Sequence, residues 1–237
     1  IVISFDRTGS MKTVTSGRAK IEWAKDAVTQ FVNKFQQQVG SNSIRIGINT
    51  FTKDKDSSNN LIYTRVEQPL TSDFSLVQQK ISAIQLPSGS GGSGATCIEC
   101  AITETNKMFE SNGKLKYAIV LSDGLANIAP GGGGTTTANA LAPIKAAADA
   151  GRASGIIFFA IGFGGPGDYN ASILRAIANL PTSSYYFNKP NAADWPNTFL
   201  ALVPKMCEGL NPYSACSISF NPLLSTPSPT PTATPTG

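Results

Sequence analysis

The sequence predicts an α/β protein of the doubly wound kind, with a mostly parallel central sheet flanked by helices. Three observations predict it. Two short segments, Tyr117–Leu121 and Ile156–Ile161, are apolar throughout rather than alternating, which marks strands buried on both faces between helix layers. Segments with apolar residues at helical spacing alternate with the strands along the chain. Charged residues make up only 14% of the chain against 41% hydrophobic, as a fold with much buried, uncharged sheet requires.

Ile1–Phe5 reads as the first strand. Lys20–Gln38 places Ile21, Ala24, Ala27, Val28, Phe31, Val32 and Phe35 on one helical face. Ile44–Phe51 alternates as a strand does, and Leu61–Leu70 is its expected partner, with Lys53–Asn60 as a solvated, charged tip between them. Phe74–Ile84 is helical in spacing. A glycine-rich loop, Pro87–Ala95, leads into a helix over Cys97–Phe109. The strand Tyr117–Leu121 ends at Ser122-Asp123-Gly124. An alanine-rich helix over Thr136–Ala150, the strand within Gly155–Phe163, a helix over Ala171–Ala178, a strand at Tyr185–Phe187 and a helix over Ala192–Met206 complete the pattern. Trp23 and Trp195 fall in helical stretches and read as packing residues. Asn170-Ala171-Ser172 fits a glycosylation sequon, but Asn170 is better read as the cap of the next helix.

The two ends differ in kind. A strand at residue 1 would begin inside the core, so further residues are expected upstream of Ile1. Ser225–Gly237, STPSPTPTATPTG, alternates proline with small hydroxyl residues and favours an extended stalk or linker. The expected organisation is a domain over residues 1–205, a cysteine-containing segment over 206–224 and the Pro/Thr-rich stalk over 225–237. No stretch approaches the ~20 apolar residues of a membrane span, and no signal peptide is visible. The net charge is +4 without a basic run or basic–aromatic block, which argues against nucleic acid. Histidine is absent, so any metal binding or catalysis must rest on carboxylates, hydroxyls, lysines or thiols.

Ligands in open α/β sheets bind beyond the carboxyl ends of the strands. Three loops there carry polar residues: Asp6-Arg7-Thr8-Gly9-Ser10 after the first strand, Gly94-Ala95-Thr96 before a helix, and Ser122-Asp123-Gly124 after the central strand. Any one of them alone is well explained as a helix cap or turn. The run Phe5-Asp6-Arg7-Thr8-Gly9-Ser10-Met11, however, resembles the opening Asp-x-Ser-x-Ser motif of von Willebrand factor A domains. Thr96 and Asp123 match that family's two other motif loops in order, and Ile161-Gly162-Phe163-Gly164 resembles its next strand. The resemblance spans roughly residues 1–205 and implies the family's Rossmann-like fold. It also implies a metal-ion-dependent adhesion site, with Thr8, Ser10 and Thr96 near the ion and Asp6 and Asp123 reaching it often through water. Thr8 stands where the family usually has serine, and both present a hydroxyl. The hard-oxygen donors suit one divalent cation, Mg²⁺ first, with Ca²⁺ or Mn²⁺ as alternatives.

By that resemblance the chain is expected to be a non-enzymatic, extracellular or cell-surface module. It would bind a protein ligand that offers Asp or Glu, or neighbouring subunits of a surface assembly. Its motif form is similar to prokaryotic, pilus-associated members, TadG-like proteins included. A structural subunit of a pilus, filament or surface layer, with the metal only stabilising loops, is the alternative reading. Cys97, Cys100, Cys207 and Cys216 allow three pairings. Local pairs, Cys97–Cys100 and Cys207–Cys216, are expected first, with cross-pairing to the metal loops as the alternative. Such bonds agree with an oxidising compartment. Cys-x-x-Cys at a helix start is also a redox arrangement, which makes thiol–disulfide chemistry at Cys97/Cys100 a further alternative, but the thioredoxin-like surroundings are lacking. A four-cysteine zinc site is disfavoured by the wide second spacing. Gly131–Gly134 lacks the Lys-Ser/Thr of a phosphate loop.

Overall fold

The computed structural model describes residues 1–39, 44–87, 95–164, 168–189 and 191–208. The glycine-rich loop residues 88–94, Cys216 and the Pro/Thr-rich stretch lie outside the described residues. The strands are β1 (Val2–Asp6), β2 (Val14–Thr15), β3 (Arg18–Ala19), β4 (Ile46–Lys55), β5 (Leu61–Thr71), β6 (Lys116–Ser122), β7 (Ile156–Phe163) and β8 (Tyr186–Lys189). The helices are α1 (Lys20–Val39), α2 (Phe74–Ala83), α3 (Ile98–Lys107), α4 (Thr137–Ala153), α5 (Ala171–Ile177), α6 (Thr182–Tyr185) and α7 (Trp195–Glu208).

Six strands form one sheet in the order β5-β4-β1-β6-β7-β8. Every pairing is parallel except that of β4 with the edge strand β5. The chain leaves β1 to one side, toward β4, and later returns to its other side as β6. The strand order therefore reverses at β1, and a crevice opens beyond its carboxyl end.

The apolar runs are continuous because successive residues enter opposite layers. In β7, Phe159, Ile161 and Phe163 join one core with Phe31 and Phe35 of α1, Val77 of α2 and Phe199 of α7. Ile156, Phe158 and Ala160 join the other, with Ile102 of α3, Ile144 of α4 and Ile177 of α5. Trp195 is fully buried and stacks on Phe163 with 3.8 Å between ring centroids. Trp23 is partly buried against the first core and donates its indole N–H to Thr15 O.

Four details differ from the sequence expectations. The β4–β5 ribbon runs on to Lys55 and Leu61, which pair directly. Apolar alternation stops at Phe51 because the ribbon beyond it leaves the core, while main-chain pairing continues. The tip is confined to residues 56–60, where the Asp56 carboxylate accepts from the backbone of Ser58 and Asn60. The β2–β3 hairpin, unexpected from the sequence, turns at Ser16-Gly17, both with positive φ (50° and 82°), as a tight type I′ turn requires. Its two-residue strands are too short to carry a periodic signal. At the far end, Tyr185 closes the short helix α6, so β8 starts one residue later, at Tyr186. A 3-10 turn over Ala192–Asp194 precedes α7, which starts at Trp195.

Candidate metal centre

β1 ends in the core at Asp6, and the chain must then turn. Arg7 faces away from the crevice. Its guanidinium donates to Thr50 Oγ1 and Gln85 O and pairs with Asp54, which pins the loop to β4. A 3-10 turn, Gly9–Lys12, follows and buries Met11. This leaves Asp6, Thr8 and Ser10 facing the end of β6, where Ser122 and Asp123 emerge.

The predicted residues converge. Asp6, fully buried, accepts through Oδ1 from the Thr8 backbone N–H (2.9 Å) and the Thr8 hydroxyl (2.6 Å). Its Oδ2 accepts from the Ser122 hydroxyl at 2.6 Å. The Ser10 hydroxyl donates to Asp123 Oδ1 at 2.6 Å. Thr96, also buried, is held from its main chain: its N–H donates to Asn127 Oδ1 (2.8 Å) and its carbonyl accepts from Asn127 N–H (3.2 Å). A methyl group built on Gly124 would lie 3.1 Å from Thr96 Oγ1 and 3.5 Å from Asp6 Oδ2. Gly124 thus leaves a small cradle between those two oxygens that any side chain would fill.

None of these side chains caps an α-helix. Capping falls to Asp73 on α2, Cys97 on α3, Thr136 on α4 and Asn170 on α5. Asn170 accepts from both Ser172 and Ile173 N–H, as its capping role predicts. Helix capping therefore does not account for the cluster, although Asp6 and Ser122 also close local turns by accepting from the Thr8 and Gly124 N–H groups.

Proton bookkeeping tests whether a cation fits. The Thr8 and Ser10 hydroxyls carry one proton each, and each lies 2.6 Å from a carboxylate oxygen. The two hydroxyl oxygens also lie 3.0 Å apart, where either can donate to the other, so three close oxygen contacts share two hydroxyl protons. Nearby, burial and then the Asp123 carboxylate push the Asp6 carboxyl up to about 7, against the hydrogen bonds from Ser122 and Thr8. A shortage of protons among close oxygens and two crowded acids are both relieved by a cation. Every donor is a hard oxygen, which fits a small divalent ion. Among the described residues no group of three or more Asp, Glu, His or Cys side chains is arranged to hold a metal. An ion here would rest on hydroxyls as much as on acids.

Sequence reasoning passed over Lys20, the first residue of α1. It is buried, and its ammonium lies 2.8 Å from Asp123 Oδ2 and 3.6 Å from Asp168 Oδ2. A signal was available: a helix N-terminus repels cations, so a lysine there needs a compensating partner. Ser122 and Asn127 were equally passed over, since a single serine or asparagine in a loop carries no pattern. Lys20 lines a crevice of about 330 Å³ with Ser10, Thr13, Val14, Thr15, Asp123, Gly164 and Asp168.

Cys97 and Cys100 are joined by a disulfide at the start of α3. Cys207 is also disulfide-bonded.

Residues 1–200 match the family profile of the von Willebrand factor type A domain. Among curated protein sequences none matches significantly. Several solved structures share the fold. One is the proximal thread matrix protein 1 from the mussel byssus with a zinc-occupied MIDAS motif (TM-score 0.63, 20% identity, covering 87% of this chain and 47% of that one). Another is the conserved hypothetical protein BatB from Bacteroides thetaiotaomicron (TM-score 0.60, 20% identity, 87% and 98%). A third is the pilus adhesin SpaC from Lactobacillus rhamnosus GG (TM-score 0.65, 15% identity, 86% and 30%). At these identities the likeness establishes the fold alone. The chain spans about half the length of the mussel protein and less than a third of the adhesin.

Proposed function

From a chain that belongs to the von Willebrand factor type A domain family, we propose a divalent-cation-dependent protein-binding module that works outside the cell and performs no catalysis. One observation carries this reading. The oxygens of Asp6, Thr8, Ser10 and Asp123 form one continuous chain of contacts at 2.6, 3.0 and 2.6 Å, three contacts that share only two hydroxyl protons.

In this reading Thr8, Ser10 and Thr96 supply neutral oxygens, while Asp6 and Asp123 supply charge and orient the hydroxyls. Ser122 and the Thr8 N–H keep Asp6 aligned, and Asn127 keeps Thr96 aligned. Gly124 keeps the cradle clear. A bound divalent cation would supply an electrophilic point for a carboxylate, so the partner is a protein presenting Asp or Glu at the crevice mouth. Mg²⁺ suits the all-oxygen set best, with Ca²⁺ and Mn²⁺ next. Zinc, which was not among the ions expected, enters because the mussel protein holds it at the corresponding kind of motif. The adhesin and thread-protein neighbours support a surface location. Among the described residues no helix is long and apolar enough to cross a membrane. The thread matrix protein also keeps the structural-subunit reading open, in which the ion stabilises the three loops only. The Cys97–Cys100 bond reads as a staple at the start of α3, where Cys97 is fully buried and its sulfur accepts from the Cys100 N–H.

Calorimetric titration of chelator-stripped protein with Mg²⁺, Mn²⁺ and Zn²⁺ tests the reading. One ion per chain is expected, with Asp6→Ala weakening it at least a hundredfold while the circular dichroism stays unchanged. An Asp6→Ala protein that binds the ion as the parent does would sink the proposal.

A further inference from the structure

Lys20 is buried at the amino end of α1, where the helix dipole opposes its charge. Its own N–H is fixed to Thr13 O at 3.0 Å, so the loop carrying Ser10 and the residue carrying the ammonium move together. The ammonium takes Asp123 Oδ2, the oxygen that Ser10 leaves over. It shares the crevice wall with Ser10 and Asp123. Its second acid, Asp168, is half-exposed, so water screens that contact. A buried ammonium is costly unless the gain at its partner is large. Here it sits directly on a carboxylate of the proposed metal centre.

We infer that Lys20 is a tethered counter-cation of this centre, which opposes the divalent ion at Asp123 and makes firm ion binding depend on an anionic ligand. The inference rests on the metal-centre reading and deepens it. The formal charges explain why. Asp6 and Asp123 alone would just neutralise a divalent ion, and an incoming carboxylate would leave the site negative. With Lys20 present, the ion and the buried groups Asp6, Asp123 and Lys20 carry one surplus positive charge, the half-exposed Asp168 being screened by water, and a single ligand carboxylate returns that buried set to neutrality. Ion and acidic ligand therefore bind cooperatively, each tightening the other by the same factor. The ligand class is narrowed to anionic groups over neutral carbonyls or amides. Without the ion, the same lysine holds Asp123 in place, so the three loops stay assembled for loading.

The test uses Mn²⁺ alone, then Mn²⁺ with acetate as the carboxylate probe against chloride at matched ionic strength, on the whole chain. In the parent, acetate is expected to tighten Mn²⁺ binding several-fold. Lys20→Met is expected to tighten Mn²⁺ alone about tenfold and to abolish most of the acetate effect, while Lys20→Arg keeps the parent's behaviour. If Lys20→Met does not fold, Lys20→Gln, which keeps a donor to Asp123 without the charge, replaces it. If neither folds, the parent's acetate effect decides, and its absence overturns the inference. Equal Mn²⁺ affinity in parent and folded Lys20→Met or Lys20→Gln removes this inference and leaves the metal centre standing. A parent that takes up no Mn²⁺ removes the metal centre itself, and this inference with it.

Discussion

Ile3 and Phe5 of β1 are buried in a layer shared with α1 and α7, where each touches many interchangeable apolar neighbours. One residue further, Asp6 is buried just as completely, yet each of its oxygens meets a specific donor. The same strand thus belongs to two regions with opposite logic. The sheet interior is redundant: burial is non-directional and spread over dozens of side chains. The crown at the carboxyl ends of β1 and β6 is not, because each of its oxygens meets one or two specific partners that no neighbour can replace. Removing apolar mass should therefore cost stability and spare the site, while small changes in the crown should do the reverse.

The largest expected effect tests the first half of that contrast. Phe159, 1% exposed, packs between Tyr117 and Tyr185. Phe159→Ala should cost about 3–5 kcal/mol of unfolding free energy, read from urea denaturation. Ion affinity per folded molecule should stay within twofold of the parent. If affinity falls in step with stability, the crown is not independent of the sheet that carries it.

A smaller effect of the opposite kind is expected at Gly124. A methyl group there would press on Thr96 Oγ1 at 3.1 Å and crowd Asp6 Oδ2, and the position needs no left-handed backbone. Gly124→Ala should weaken ion binding about tenfold, near 1.4 kcal/mol. Its unfolding free energy should change by less than about 1 kcal/mol. Unchanged ion affinity would show that the cradle lies outside the coordination space.

The same contrast explains what was legible in the sequence. Phe158-Phe159-Ala160-Ile161 and the α1 stripe from Ile21 to Phe35 declare their layers locally, because burial leaves a periodic trace. The convergence of Asp6, Thr8, Ser10, Thr96 and Asp123 was legible only as three motifs in order, since no local pattern joins residues more than a hundred positions apart. Lys20 escaped because a single charge at a helix start has no period, and its partners, Asp123 and Asp168, lie far along the chain. The β2–β3 hairpin escaped because four paired residues leave too little pattern. The β4–β5 ribbon ran past its expected end because hydrogen bonding between main chains is indifferent to side-chain type.

The smallest effect is expected where this sequence departs from the usual serine of its motif. Thr8 is 1% exposed, so its methyl is packed. Its Oγ1 makes the contacts that matter, to Asp6 at 2.6 Å and to Ser10 at 3.0 Å. Serine keeps that oxygen and loses the methyl. Thr8→Ser should therefore lower unfolding free energy by about 0.5–1 kcal/mol, as the loss of one buried methyl does, and change ion affinity less than twofold. Paired urea and calorimetric measurements separate the two quantities. A loss of affinity well beyond twofold would mean that methyl packing, and not the hydroxyl alone, aims the oxygen, and the line between an apolar interior and a polar crown would then run through a single side chain.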